Sequence, residues 1–137
     1  MSSTDDPRPP AAQLLDRKVV ALNPAGGTAA LTFEAISAFT NRHGTVQGGF
    51  ISAMLDSAAS NALLPTLPAD TTAVTTRLDT RFLSPARVGM LSAAAKVVEV
   101  DEKTALVEAS LSDLAGTVLA TASVEFRLLR KKRFSDA

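Results

Sequence analysis

The 137-residue chain contains no cysteine, no tryptophan, no tyrosine and a single histidine, His43. Without cysteine there can be no disulfide, no thiolate nucleophile and no thiolate metal site, and one histidine argues against a multi-histidine zinc site. Any metal chemistry would therefore have to rest on carboxylates. Fourteen basic and fourteen acidic residues leave no net charge. No global field then favours nucleic acid or an anionic membrane, and we expect a small-molecule partner.

Composition divides the chain into three parts. Residues 1–14 contain serine, aspartate and three prolines near their start and have no apolar core. This composition predicts a disordered leader and not a signal peptide. We therefore expect a cytoplasmic protein. Residues 15–130 fit one domain, large enough to bury roughly two thirds of its unfolded surface. Residues 131–137 are interpreted as a basic tail.

Hydrophobic periodicity predicts two strands, a long apolar helix and four further strands. The helix begins at Gly48 and ends at Pro65, which cannot continue the hydrogen-bond ladder. It contains Asp56, Asn61 and three serines, so we interpret it as a buried core helix and not as a membrane span. Short turns make neighbouring strands antiparallel. The predicted strands are Val19–Leu22, Thr28–Ala35, a long strand from Thr72, Leu91–Val100, Thr104–Ser112 and Thr117–Leu129.

The helix is too hydrophobic all round to lie on a surface, so the sheet is expected to wrap around it. This is an α+β architecture, and a curved antiparallel sheet around a long central helix is the hotdog fold. Both sheet edges would be open, which favours pairing between subunits. Alternation in the long strand predicts that one face carries Val74, Thr76, Leu78, Thr80 and Phe82 and that the other carries Thr75, Arg77, Asp79 and Arg81.

Asp56 is the only ionisable side chain between Val46 and Ala69. Burying an unpaired charge is costly unless a partner or a hydrogen bond compensates. Asp56 therefore either caps or pairs with another group, or it reacts. Ser52 and Ser60 lie four residues before and after it on the same helix face.

Asn41-Arg-His-Gly-Thr-Val-Gln47-Gly48-Gly49, followed by Asp56, resembles the signature of the hotdog acyl-CoA thioesterases of the PaaI-like, 4-hydroxybenzoyl-CoA thioesterase related group. The pattern of that group is Asn, two residues, Gly, two residues, His-Gly-Gly, then an acidic residue in the helix. The resemblance covers about residues 15–129 and includes Phe82-Leu-Ser-Pro-Ala-Arg-Val-Gly89.

The resemblance implies roles for the helix start and for its carboxylate. A helix N-terminus offers unsatisfied N–H groups, and glycine allows close approach to them. In the family, the N–H at the position of Gly48 polarises the thioester carbonyl. Asp56 is implied to be the nucleophile or the general base, acting across a dimer interface with Gly48 of the other subunit. Alternatively, the two glycines only allow tight packing, and Asp56 only binds a loop backbone.

Four further residues match family positions. Asn41 is expected to orient the thioester or its loop, or to bond its own turn. Ser60 matches a hydroxyl that bonds the acid or the water, or it is a small packing residue. Thr75 matches a residue that positions water, or it is ordinary strand chemistry. Gln47 stands where the family usually has histidine, and it cannot change charge near neutral pH. His43 is interpreted as a solvated loop residue.

A protein that binds coenzyme A should present cations beside the pocket mouth. Arg87, in the family-like segment, is the first candidate, and Arg130 and Lys131 are two more. A basic tail is also commonly just a solvated end.

The sequence therefore predicts hydrolysis of a small or medium acyl-CoA, aryl or alkyl, by a homodimer or dimer of dimers without metal or redox cofactor. The first alternative is a non-catalytic acyl-CoA-binding or regulatory protein, suggested by Gln47. A hydratase or dehydratase would need a catalytic histidine, for which only His43 is present. A pure scaffold would have no affinity for CoA esters.

Overall fold

A computed structural model describes residues 5–131 of the chain. Strands dominate, and one long helix lies between the second and third of them. In chain order the elements are α1 (Pro10–Leu14), β1 (Lys18–Asn23), β2 (Thr28–Ala35), α2 (Gly48–Leu63), β3 (Thr71–Phe82), β4 (Gly89–Val100), β5 (Thr104–Ser112) and β6 (Val118–Arg130).

The six strands form one antiparallel sheet in the order β1-β2-β4-β5-β6-β3. Residues alternate between a buried and a more exposed face along β2, β4, β5 and β6, as expected for a sheet covered on one side. Helix α2 packs on the buried face against five of the strands. The α+β class and the hotdog architecture predicted from the sequence are confirmed.

Helix α2 begins where the sequence predicts and ends at Leu63, two residues before Pro65. Its buried side consists of apolar residues at helical spacing, with Met54, Leu55 and Leu63 fully buried. The sheet covers only one side of the helix, and the other side is more accessible to solvent. That side carries small and polar residues: Gly49 and Ala53 are exposed, and Asp56 and Ser60 are half-buried. In the single chain the helix therefore keeps one uncovered side, on which Asp56 lies.

The structure differs from the predicted disordered leader over the last residues of that segment. Pro10–Leu14 form the short helix α1, in which Ala12 is buried. Leu15 belongs to the core, and its carbonyl accepts a hydrogen bond from the Glu34 N–H of β2 at 3.0 Å. This backbone bond and the apolar burial order the segment despite its prolines. Residues 1–4, and all of the predicted basic tail except Lys131, lie outside the described residues.

The predicted alternation along β3 is wrong on one side of a β-bulge. Phe82, Thr80 and Leu78 face the helix as expected, but the register against β6 shifts between Thr75 and Arg77. Thr75 pairs with Phe126, which is buried on the inner face. Because a bulge inserts one extra residue, it reverses the side to which all preceding residues point. Thr75 therefore faces the helix.

Candidate active site

The bulge in β3 brings Thr75 to the carboxylate on α2. The Thr75 hydroxyl donates a hydrogen bond to Asp56 Oδ1 at 2.7 Å. Among residues 5–131, no cation forms an ion pair with Asp56, and no hydrogen bond reaches its Oδ2. One carboxylate oxygen is thus held by the strand while the other is free to meet a ligand or a water molecule.

A second polar contact joins the same helix face to the same strand. Ser52 and Thr80 share a hydrogen bond between their hydroxyl oxygens at 2.9 Å. The helical spacing predicts Ser52 on the face of Asp56 but does not predict this partner. The two contacts together join α2 to β3.

The helix start presents free backbone donors. The Gln47 carbonyl accepts hydrogen bonds from the N–H groups of Phe50 and Ile51, and the Gln47 N–H binds the Phe39 carbonyl at 2.9 Å. Within the described part of the chain, the N–H groups of Gly48 and Gly49 have no partner. A helix N-terminus with two such donors suits a developing negative charge on a ligand.

The two glycines at this helix start differ in their surroundings. A Cβ atom added at Gly48 would lie 3.1 Å from Cζ of the Phe82 ring, whereas one added at Gly49 would meet nothing within 4 Å. Glycine at position 48 therefore lets the Phe82 ring pack over the first helical turn. The space in front of Gly49 is open.

A cleft of about 370 Å³ lies beside this helix start, a volume in the usual range for small-molecule sites. It is lined mainly by apolar side chains of α2, of β3 and of the loop after β3. The lining residues are Val46, Gly48, Ile51, Phe82, Leu83, Ser84, Pro85, Ala86 and Leu119. The Val46 N–H donates to the Ala86 carbonyl at 2.9 Å, which joins the loops before α2 and after β3.

The free donors and the carboxylate are too far apart to hold the same atoms within one chain. Gly48 and Asp56 are eight residues apart on one helix, which corresponds to about 12 Å along its axis. A thioester carbonyl bound to the Gly48 N–H would therefore lie well beyond hydrogen-bond distance of the Asp56 carboxylate of its own chain.

Asn41 uses its side chain to close its own loop. Its Oδ1 accepts from the N–H groups of His43 at 2.9 Å and Thr45 at 3.3 Å. Its Nδ2 donates to the Thr45 hydroxyl at 3.1 Å. Gly44, with φ of +79°, completes this turn. The observed contacts are those of a turn asparagine.

The side chains of Gln47, Ser60 and the loop residue His43 make no polar contact in the described structure. Gln47 and His43 are exposed, and neither side chain makes a hydrogen bond with residues 5–131. Ser60 is half-buried one turn after Asp56 without a hydrogen bond between the two side chains. These residues are positioned near the site but are not tied to it in the single chain.

The three candidate coenzyme A contacts lie at two ends of the sheet. Arg87 is exposed and directly follows Ala86, which lines the cleft, but Arg87 itself is not among the lining residues. Arg130 pairs with Thr71, and the Lys131 N–H binds the Asp70 carbonyl at 2.9 Å. Since Phe82 pairs with Ala120, Arg130 is about 33 Å along β6 from the level of the helix start. Within one chain, Arg87 and the pair Arg130 and Lys131 cannot contact the same phosphate.

Arg17 was not identified from the sequence, although it contacts α2. Its Nη1 donates to the Ser57 hydroxyl at 3.4 Å, and its Nε is buried without a partner among the described residues. Desolvation, together with the nearby charge of Arg8, lowers the pKa of Arg17. Its isolated position in the sequence contains no signal that would have predicted this contact.

Two absences concern only residues 5–131. No group of three or more histidine, cysteine, aspartate or glutamate side chains is arranged to hold a metal ion. No helix in this range has the length and apolar character needed to cross a membrane.

The chain belongs to the thioesterase superfamily, whose family model matches residues 43–125. That range contains the helix start, Asp56 and Thr75. Family membership supports thioester hydrolysis as the general class of reaction. No curated protein sequence matches this chain.

Solved structures agree with this assignment. A phenylacetic acid degradation-related protein from Ralstonia eutropha JMP134 is 30% identical, with a TM-score of 0.85 over 90% of this chain and 92% of its own. AziG from S. sahachiroi is 26% identical, with a TM-score of 0.83 over 89% and 98%. The E. coli PaaI protein, at 20% identity and a TM-score of 0.81 over 89% and 86%, shares the fold.

Proposed function

We propose that this protein hydrolyses the thioester bond of a small or medium acyl-CoA. Asp56 acts as nucleophile or general base, and the Gly48 N–H of a second subunit binds the carbonyl oxygen. The observation that carries this proposal is the hydrogen bond from Thr75 to one oxygen of Asp56, which leaves the other oxygen free beside an uncovered helix face.

Thioester hydrolysis requires donors that bind the carbonyl oxygen and a base or nucleophile that acts at the carbon of the same carbonyl group. The unpartnered N–H groups at the start of α2 supply the donors. A free carboxylate oxygen can take a proton from the water that attacks the carbonyl carbon, or it can attack that carbon directly and form a mixed anhydride that water then hydrolyses. In both cases the C–S bond breaks and coenzyme A leaves as its thiolate, which takes up a proton. Because the two groups are about 12 Å apart along one helix, a homodimer that brings Gly48 of one copy to Asp56 of the other completes the site.

The apolar cleft beside Gly48 suits the acyl group of the substrate. Because the lining is mostly hydrophobic, this acyl group does not need to carry a charge. The relation of the Ralstonia protein to phenylacetic acid degradation makes aryl-acetyl esters the first to test. We propose that Arg87 contacts a coenzyme A phosphate beside the cleft. Arg130 and Lys131 lie at the other end of the sheet and would contribute to a second phosphate site or to none. A dimer of dimers and a cytoplasmic location stay predictions.

The test is release of free coenzyme A from a panel of aryl, short, medium and long acyl-CoA esters. Asp56→Asn keeps the shape of the side chain and removes its charge, so we expect kcat to fall by at least about a hundredfold. Asp70→Asn is the matched control, because Asp70 is an exposed carboxylate in the turn just before β3, away from Asp56. Unchanged turnover in Asp56→Asn would contradict the assignment.

The second candidate is a protein that binds acyl-CoA without hydrolysing it. It is favoured by Gln47, whose exposed side chain makes no hydrogen bond in the described structure. Tight binding of CoA esters by calorimetry with no thiol release across the panel would select this function.

A further inference from the structure

Exposed apolar residues stand at the ends of five neighbouring strands, β2, β4, β5, β6 and β3. Each residue begins its strand, directly adjoins it, or lies in the turn that follows it. In the order of the sheet, from β2 to β3, they are Ile36, Val88, Leu114, Val118 and Leu83. Their exposed fractions range from 41% to 74%. We name this row of five residues the end strip.

The strand pairing brings these five residues to one end of the sheet. Ala35 at the end of β2 pairs with Gly89 at the start of β4, and the start of β4 in turn meets the end of β5. Ser112 at the end of β5 pairs with Val118, and the Leu83 N–H donates to a carbonyl oxygen of β6 at 2.8 Å. Because neighbouring strands are about 4.8 Å apart, the end strip is roughly 19 Å long.

Exposed apolar side chains are concentrated at this end of the sheet. Among residues 5–131, fourteen large apolar residues are exposed, and seven of them lie here: the five of the end strip, Phe82 and Met90. Single exposed apolar residues are ordinary, whereas a contiguous group with a polar rim marks an interaction site. We therefore expect the end strip to contact an apolar surface of a partner.

The end strip begins at the proposed acyl site. Leu83 belongs to the strip and also lines the cleft beside Gly48. A partner bound on the strip is therefore held at the mouth of the cleft. Free coenzyme A needs cations for its phosphates, and its hydrophilic nucleotide has no use for a row of apolar side chains outside the cleft. The strip fits a substrate carrier with an apolar surface of its own.

The cations beside the cleft are available to such a partner. Arg87 directly precedes Val88 of the strip, and Arg42 lies in the loop before α2. The hydrogen bond from the Val46 N–H to the Ala86 carbonyl joins the loops of these two arginines. Both arginines are exposed, and neither forms an ion pair within residues 5–131.

Two carboxylates near the strip offset these cations only in part. Asp113 closes its own turn, where its Oδ1 accepts the Thr117 N–H at 3.0 Å. Glu34 is half-buried, two residues before Ile36. The unpaired arginines beside the cleft therefore favour a partner with an acidic surface.

The size of the strip favours a partner that binds and leaves. A stable interface has about 20–30 residues on each side, far more than the end strip and its two arginines supply. A weak, transient contact is what a substrate carrier needs, because it must leave after each turnover.

We propose that the end strip binds an acidic carrier protein that presents the acyl group as a thioester on a phosphopantetheine arm. Arg42 and Arg87 meet the acidic side chains of the carrier and the phosphate of its arm, and the thioester enters the cleft. The C–S bond breaks, and water supplies the hydroxyl of the free acid and the proton of the thiol, which stays on the arm. This proposal rests on the proposed function, because it uses the same site for hydrolysis.

The first test compares one acyl group on two carriers. The acyl group of the best CoA ester is loaded on an acidic acyl carrier protein, and hydrolysis of this ester is compared with hydrolysis of the CoA ester. We expect kcat/KM to be at least about tenfold higher for the carrier-protein ester. Equal or lower kcat/KM for the carrier-protein ester would overturn the proposal.

Leu114→Glu places a negative charge in the middle of the end strip. Leu114 is 74% exposed and does not line the cleft, so the variant is expected to fold. We expect kcat/KM to fall by at least about tenfold for the carrier-protein ester and to change by less than about twofold for the CoA ester. An equal effect on both esters, or no effect on either, would contradict the proposal.

Val20→Glu is the matched control, because Val20 is 65% exposed on β1 and is not part of the strip. It should leave both esters unaffected. Arg42→Glu tests the charge. We expect it to lower kcat/KM for the carrier-protein ester and to make that value less sensitive to added salt. An unchanged salt dependence would argue against an acidic partner surface.

Other occupants of the strip give different results. If the parent binds vesicles of mixed anionic and zwitterionic lipids and Leu114→Glu does not, with no preference for the carrier-protein ester, the strip contacts a membrane. If Leu114→Glu is a smaller oligomer by sedimentation, the strip contacts a second copy of the chain. Either result would overturn the proposal.

The two proposals of this article fail in different ways. Thiol release from the CoA ester without preference for the carrier-protein ester would refute the carrier alone. Calorimetric binding of the loaded carrier protein that is lost in Leu114→Glu, without thiol release from any ester, would refute hydrolysis alone.

Discussion

The hydrogen bond between Thr75 and Asp56 allows a sharp test of how the carboxylate is positioned. Thr75→Val replaces the hydroxyl by a methyl group of similar size and keeps the β-branched shape that suits a strand. The variant therefore removes the donor that lies 2.7 Å from Asp56 Oδ1 without opening a cavity.

The expected loss follows from the energy of this contact. Hydrogen bonds to charged groups contribute about 1.5–3 kcal/mol. Thr75 is exposed in the single chain, so we take the lower end, which corresponds to about a tenfold lower kcat. Because the hydroxyl orients the base and does not bind the acyl group, KM should change much less than kcat.

The assay is thiol release from the best CoA ester of the panel, with thermal unfolding measured in parallel. Thr75→Ser should restore most of kcat, because it returns the donor. Thr76→Val is the matched control: Thr76 is the neighbouring residue, and its hydroxyl binds the Glu125 carbonyl and not the carboxylate. A Thr75→Val variant with the kcat of the parent, or a Thr76→Val variant with an equal loss, would refute this role of the Thr75 hydroxyl.

Two further predictions concern the helix start and a turn. Gly48→Ala forces the Phe82 ring, 3.1 Å from the added Cβ, to shift within the cleft; we expect several-fold lower kcat and a stability change within about 1 kcal/mol. In Gly49→Ala the added Cβ meets nothing within 4 Å, so this variant should keep the thermal midpoint of the parent. If Gly48→Ala has the same kcat as the parent, a shift of the Phe82 ring does not lower kcat. Backbone hydrogen bonds from Lys103 and Thr104 lower the pKa of Asp101 below its ordinary 3.8, so its charge stabilises the folded state above that pH and the benefit is lost as pH falls below it. The thermal midpoint of Asp101→Asn should therefore lie below that of the parent at neutral pH and converge with it in acid, and a gap that persists there would argue against this linkage.

Local signals in the sequence were sufficient for the helix and most strand boundaries. Helix α2 begins at Gly48, as predicted, and ends at Leu63, two residues before Pro65, because proline has no N–H to donate within a helix. β5 has the predicted bounds, β4 begins two residues earlier than predicted and ends at the predicted residue, and β6 is shifted by one residue at each end. These features depend on residues close together in the chain.

The sequence misjudged features that depend on contacts between distant segments. The leader residues 10–14 are helical because Leu15 packs in the core and binds Glu34 of β2. Arg87 and Arg130 are far apart because they lie at opposite ends of the sheet, which are separated by the length of β6.

The sequence by itself determined that a lone carboxylate follows a glycine-rich helix start by two helical turns, because the helix repeat relates those positions directly. Only the tertiary structure decided which strand residue meets that carboxylate. Thr75 reaches Asp56 because β3 bulges against β6, and a bulge depends on the pairing of two strands that are almost fifty residues apart in the chain.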